Sequence, residues 1–229
     1  MSFRILRVQI HTLSCFIMAL CAAAVASNAQ AREYPHWYVG ISGAVNFVSE
    51  GDIAEKSSTG TLFSGKAEYD AGYGIIGAIG FRPISGGQPG MLRFEAEASM
   101  RTNDLSSLAV NPASLQADGR VNLGTAMVNA YADFGQDMIR PYLGAGFGAA
   151  YFNFDENSIG IENERELTYA YQLMAGFYVK PESMPYTEFG LGYRFLATGE
   201  PEFTTQTAGT KVEAEYNSHS LEAGFRFWF

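Results

Sequence analysis

The chain has 229 residues, a length suited to one domain, and its 24 acidic against 15 basic residues give a formal net charge of −9. That balance argues against nucleic acid, which needs a basic footprint. The apolar fraction is an ordinary 47 %, but 25 glycines and 14 % aromatics are high. Beyond the amino-terminal segment no stretch approaches 18 uninterrupted apolar residues, so a membrane protein of this sequence would cross with strands rather than helices.

Arg4 and Arg7 precede an apolar run, Leu13 to Ala26, that is too short to span a bilayer and leads into small residues. Residues 1–31 read as a cleaved secretory signal peptide, with cleavage after Ala29 or Ala31, and residues 32–229 as one barrel domain. Lipoprotein processing is disfavoured because Leu20, not a small residue, precedes Cys21. Cys15 and Cys21 both leave with the leader, so the exported chain must hold together without disulfides or thiolate–metal sites. Loss of Arg4 and Arg7 leaves 24 acids facing 13 bases, a charge of about −11.

Eight later segments alternate with period two. Trp37 to Phe47 sets Trp37, Val39, Ile41, Val45 and Phe47 against Tyr38, Gly40, Ser42, Ala44 and Asn46. A polar stretch of about twenty residues follows and reads as an external loop. Asp70 to Arg82 is the second strand, and Pro83 to Gly90, with two prolines and three glycines, is a turn. Met91 to Arg101 alternates most cleanly: Leu92, Phe94, Ala96, Ala98 and Met100 face out, while Arg93, Glu95, Glu97, Ser99 and Arg101 face in. Residues 102–118 read as a second polar loop; a hairpin hidden there would raise the count to ten, which Pro112 and the short length disfavour.

The fourth strand, Val121 to Phe134, points Asn129, Tyr131 and Asp133 inward. Val121 and Leu123 share that parity although they are apolar, so a bulge or a late start is expected. A short turn to Arg140 puts Pro141 at the first position of the next strand, where proline is tolerated. Tyr142 to Asn153 carries Leu143, Phe147 and Tyr151 outward, and Gly144, Gly146 and Gly148 inward opposite bulky neighbours. Leu167 to Lys180 and Tyr186 to Leu196 follow, the latter after a turn over Pro181 to Pro185. The last strand alternates Leu221, Ala223, Phe225, Phe227 and Phe229 with Glu222, Gly224, Arg226 and Trp228. In water such an edge would invite aggregation; in a barrel one face meets lipid and the other the lumen. The expected fold is all-β: an eight-stranded antiparallel up-and-down transmembrane β-barrel, with four long loops outside and both termini in the periplasm. No periplasmic domain is expected after Phe229.

Several stretches resemble the surface-antigen and opacity-type outer-membrane barrels, akin in shape to the OmpA transmembrane domain. They are Trp37-Tyr38-Val39-Gly40-Ile41-Ser42-Gly43, Met127-Val128-Asn129-Ala130-Tyr131-Ala132-Asp133-Phe134, Arg140-Pro141-Tyr142-Leu143-Gly144-Ala145-Gly146, Phe189-Gly190-Leu191-Gly192-Tyr193-Arg194-Phe195 and the terminal strand. Ala132 departs from the pattern, where an aromatic is commoner. The resemblance implies an integral outer-membrane location in a Gram-negative envelope, contact with lipid and lipopolysaccharide, and biogenesis through periplasmic chaperones and the barrel-assembly machinery. A terminal Phe229, with Leu221, Phe225 and Phe227, resembles the signal that machinery reads. Role is not fixed by the resemblance, because members of one fold differ in activity.

The expected lumen network is Arg93, Glu95, Glu97, Glu188, Arg194, Glu222 and Arg226. Asp70, Arg82, Arg101, Asp133 and Lys180 are further inward charges. Eight strands leave a lumen that side chains fill, so opposite charges should pair and plug it; a narrow ion path is the alternative. Trp37, Phe134, Tyr151, Tyr169, Tyr193 and Phe227 read as rim girdle residues. His219, flanked by Ser218 and Ser220, is weighed as a lipid A hydrolase residue, but the serines face away from it, so no catalytic residue is assigned. The acidic stretch Asp155 to Glu166 has oxygen ligands without EF-hand spacing, so no metal and no cofactor is assigned. The leading functional expectation is a structural surface barrel whose acidic loops face the outside, where a host or surface receptor could bind them.

Overall fold

The computed structural model describes residues 36–49, 51–57, 60–85, 88–89, 91–110, 113–135, 138–156, 165–199, 202–204, 211–214 and 216–229. The leader assigned to residues 1–31 lies outside them. Fourteen strands appear among the described residues: β1 Trp37–Val48, β2 Gly51–Ser57, β3 Gly60–Tyr69, β4 Gly72–Phe81, β5 Ile84–Ser85, β6 Gln88–Pro89, β7 Leu92–Val110, β8 Ala113–Asp133, β9 Ile139–Glu156, β10 Arg165–Val179, β11 Thr187–Thr198, β12 Glu202–Thr204, β13 Lys211–Ala214 and β14 Asn217–Trp228. Eight of them form a closed ring in the order β7-β4-β1-β14-β11-β10-β9-β8, sealed where β8 pairs with β7. Every pairing in the ring is antiparallel.

The register sets the barrel's shape. Hydrogen-bonded partners followed once around, from Arg101 through Gly74, Ala44, Glu222, Gly192, Gly176, Tyr142 and Asp133, return to β7 at Met91, ten residues lower. Ten residues of stagger over eight strands tilt them by about 40° and make each residue rise roughly 2.5 Å along the axis. About ten residues per strand therefore span the ~25 Å apolar band of a bacterial outer membrane. Along β7, Leu92, Phe94 and Met100 are exposed on the outside, whereas Arg93, Glu95, Glu97, Ser99 and Arg101 are buried within.

Above that band the fold departs from the sequence expectations. Residues 102–118 are not a polar loop: β7 continues to Val110 and β8 starts at Ala113, paired throughout apart from a register shift between Leu105 and Ser107. No extra barrel strand results, because the same hairpin has simply grown taller. The first long connection contains the β2–β3 hairpin, whose β3 pairs with the upper part of β7 and whose β2 pairs with β13 of the last connection. Asp70, expected inward, is exposed just above β4. β9 begins at Ile139, so Pro141 is its third residue rather than its first. Its ring nitrogen sits where β8 runs out, and its carbonyl accepts from the Phe134 N–H at 2.8 Å.

The fourth barrel strand carries no bulge between Val121 and Phe134; its pairing with β9 runs unbroken from Gly119 to Asp133. Val121 and Leu123 do point inward, packed with Met127, Ala150, Phe152, Ala170, Leu196 and Tyr216 into a buried apolar cluster. The apparent conflict of parity has a physical cause. Where a barrel rises out of the bilayer, its outer face meets water and its interior can be an ordinary dry core. Asn122 on that outer face bonds Thr102 Oγ1 at 2.9 Å. Gly135, with φ of 81°, supplies the left-handed residue after β8.

Candidate functional site: the charged lumen

Beneath the apolar cluster the interior is polar, and six guanidiniums (Arg82, Arg93, Arg101, Arg140, Arg194, Arg226) share it with five carboxylates (Glu95, Glu97, Asp133, Glu188, Glu222) among the described residues. All seven residues of the expected network lie here. At the end nearest the short turns, Asp133 binds Arg82 and accepts from Arg93 Nε at 3.2 Å. Glu188 binds Arg226, and also Arg140 Nη2 at 2.5 Å and the Trp228 indole N–H at 2.9 Å. Both central guanidiniums lie on aromatic faces: Arg93 is 3.8 Å from the Tyr131 ring centroid and Arg226 is 3.5 Å from that of Tyr178. Such stacking offsets part of the desolvation that burial imposes.

Midway up, Glu95 receives the Tyr38 hydroxyl, Arg93 Nη1 at 3.1 Å and the Tyr131 hydroxyl at 3.1 Å. Glu97 receives Arg194 Nη1 at 2.5 Å and Asn129 Nδ2 at 2.9 Å. Arg194 also donates to Gln172 Oε1 at 2.6 Å and through Nη2 to Glu222 Oε2 at 3.1 Å. Its Nε comes within 2.5 Å of Glu222 Oε1, an ion pair without hydrogen-bond alignment. A cavity of about 30 Å³ bordered by Ser42, Ile76, Glu97, Arg194 and Glu222 adjoins this cluster. That space is large enough to hold water.

Glycines make room for these side chains. A Cβ at Gly80 would overlap the Tyr38 ring, one at Gly144 the Tyr131 ring, and one at Gly146 the Asn129 amide. The inward parity of Tyr38, Asn129, Tyr131, Gln172 and Tyr178 is legible in the sequence. Their part in binding the charges is not, because alternation gives a face but no partner. Arg140, expected in a turn, enters the network because β9 starts earlier than the proline suggests. Lys180 is half-buried at the mouth, where its backbone N–H bonds Met138 O.

On the outside, Trp37, Phe134 and Phe227 are exposed near the short-turn end and Tyr151 and Tyr169 toward the other. Tyr193, expected at a rim, instead sits midway along β11 between Thr187, the partner of Phe227, and Gly199, which bonds Tyr169. Leu221, Phe225 and Phe227 are exposed along β14, and Phe229 exchanges backbone hydrogen bonds with Trp37. His219 faces outward and meets the Tyr193 hydroxyl through Nδ1 at 2.5 Å, while Ser218 and Ser220 are buried in the lumen. His36 Nδ1 lies 3.3 Å from Arg82 O. The acidic stretch 155–166 falls largely outside the described residues.

A closed antiparallel ring of eight strands, apolar outside and charged within, defines an integral outer-membrane β-barrel. The chain belongs to the outer membrane protein beta-barrel domain family, whose model matches residues 17–227. Uncharacterised proteins of Brucella abortus (strain 2308) and Brucella suis biovar 1 are 30 % identical to it over 176 residues, 59 % of this chain and 60 % of theirs. The chain thus spans about 60 % of the length of these curated relatives. Among solved structures, Neisserial surface protein A matches with a TM-score of 0.53 at 20 % identity, covering 84 % of this chain and 97 % of that one. OprG from Pseudomonas aeruginosa matches with a TM-score of 0.56 at 15 % identity, covering 85 % and 97 %. These two likenesses concern the fold. Membership places the protein in the outer membrane, in contact with lipid and lipopolysaccharide.

Proposed function

We propose that this protein is a non-conducting structural barrel that holds an acidic platform outside the cell, where it supports the envelope and offers a surface to an external receptor. The observation that carries this reading is the lumen itself, filled by paired charges below and by a dry apolar cluster above. The distribution of charge supports the rest. The four connections at the tall end, residues 49–70, 103–120, 154–168 and 199–216, contain 16 acidic and 5 basic residues. They account for the entire charge of about −11 that remains once the leader is gone. A net field of one sign at the rim favours basic partners and steers their approach. Catalysis has little support: the same-face neighbours of His219 along β14 are Asn217 and Leu221 rather than a serine, and the lumen carboxylates have no substrate access.

The outward rings of Trp37, Phe134 and Phe227 and of Tyr151 and Tyr169 act as the two girdles at the membrane interfaces. Leu221, Phe225, Phe227 and Phe229 serve as the assembly signal read during biogenesis. The rival reading is a narrow channel, favoured by the small cavity beside Glu97, Arg194 and Glu222. Planar-bilayer recording of the refolded mature barrel, with Glu188→Gln and Arg194→Gln alongside, separates the two. Silence of the wild type is expected. Reproducible openings whose conductance shifts in either variant would overturn the plugged barrel.

A further inference from the structure

Among the described residues six guanidiniums and five carboxylates leave one positive charge in excess in the buried lumen, and Arg101 is the guanidinium that contacts no carboxylate. Arg101 is 1 % exposed, has no carboxylate within ion-pair distance among the described residues, and makes a single hydrogen bond, from Nη1 to Ser99 Oγ at 2.8 Å. Its Nε and Nη2 have no acceptor. Glu97 and Glu222 act on it only from beyond ion-pair distance, and a fully buried guanidinium with unpaired N–H groups and no carboxylate in contact is disfavoured in a low-dielectric interior.

The surroundings of Arg101 hold further unpaired donors, beside one unpaired acceptor, Asn103 Oδ1. Its Cγ and Asn46 Nδ2 both lie over Gly74, 3.0 and 3.2 Å from where a Cβ would stand. Asn46 is 0 % exposed; its Oδ1 accepts from Ser220 at 2.7 Å, while its Nδ2 donates to nothing. The barrel's stagger brings Ser218 and Thr198 to the height of Arg101 on the opposite wall; the Thr198 hydroxyl is buried without a partner, and Ser218 is buried against the Tyr216 hydroxyl. Three side chains with donors to spare, Arg101, Asn46 and Thr198, thus occupy one layer of the lumen. Phe152 and Tyr216, in edge contact with ring centroids 5.5 Å apart, belong to the apolar cluster above them.

We propose that a small inorganic monovalent anion of the halide class binds in the outer lumen at Arg101, Asn46 and Thr198 and balances the excess positive charge of the barrel interior. A halide suits the layer because it is an acceptor from every side and needs no carbon skeleton to be housed. The site differs from the Glu97–Arg194–Glu222 cluster below it, where the one guanidinium contacts two carboxylates. Its failure would leave the plugged-barrel reading intact.

Bromide is the probe. Crystals of the refolded mature barrel grown in sodium bromide should show an anomalous peak within about 3.5 Å of Arg101 Nε or Nη2. In parallel, thermal unfolding is followed at constant ionic strength as gluconate is exchanged for bromide. The wild type should gain stability saturably. Arg101→Gln should weaken apparent bromide affinity at least tenfold and, in gluconate alone, melt no lower than wild type, because it removes an unbalanced charge. Asn46→Ala provides a second variant that keeps the charge and should weaken bromide binding less. A wild type without saturable bromide dependence, a peak elsewhere, or an Arg101→Gln variant that responds like wild type would each overturn the proposal.

Discussion

Replacing Arg194 by glutamine separates a dry plug from a wet path by the size of its effect. The Arg194 guanidinium faces Glu97 at 2.5 Å and Glu222 at 2.5 Å, and the side chains are 4 %, 0 % and 12 % exposed. Charges centred about 4 Å apart attract by about 4 kcal/mol at an effective dielectric of 20, but by about 1 kcal/mol in water. Removing one partner of a buried pair costs about 3–5 kcal/mol, since the other charge stays behind uncompensated. A dry lumen therefore predicts a loss of about 3–5 kcal/mol for Arg194→Gln, and a hydrated one about 1 kcal/mol or less. Neutralising the stranded partner in the triple variant Arg194→Gln, Glu97→Gln, Glu222→Gln should recover most of that loss. The assay is urea unfolding of the mature barrel in phospholipid vesicles, read by Trp37 and Trp228 fluorescence and by the heat-dependent gel shift of the folded form. A single variant within about 1 kcal/mol of wild type, with nothing for the triple variant to restore, would refute the plug.

Three further outcomes are expected. Gly80→Ala should destabilise by about 1–3 kcal/mol through its overlap with the Tyr38 ring, and in a double-mutant cycle Tyr38→Ala should absorb part of that cost; additive losses would show the seat to be irrelevant. Leu123→Ala should cost about 2–5 kcal/mol in the same unfolding assay, because Leu123 is 1 % exposed within the outer apolar cluster. A negligible change there would mean the upper lumen is not a packed core. Phe229→Ser should lower the amount of barrel reaching the outer membrane in cells while changing the stability of refolded protein by less than about 1 kcal/mol; normal membrane levels would remove Phe229 from the assembly signal.

By itself the sequence determined the strand number, the inside and outside faces, and the membrane class. A bilayer allows few ways to satisfy a backbone, and a lipid-facing strand must alternate, so residues such as Phe94 and Glu95 carry their placement in their own chemistry. Tertiary structure alone decided the pairings. Glu97 meets Arg194 across 97 positions of chain, and Glu188 meets Arg140, because a ten-residue stagger sets which inward positions share a height. The same stagger leaves Arg101 without a carboxylate at ion-pair distance among the described residues and brings Asn46, Ser218 and Thr198 to its level. Val121 and Leu123 show where alternation stops being informative. Lipid no longer lies outside them, so their apolar side chains turn inward to a core that only the closed barrel creates. The taller β7–β8 hairpin and the β2–β13 pairing were hidden for a related reason: outside the bilayer, polar residues pair as strands without any hydrophobic pattern to announce them.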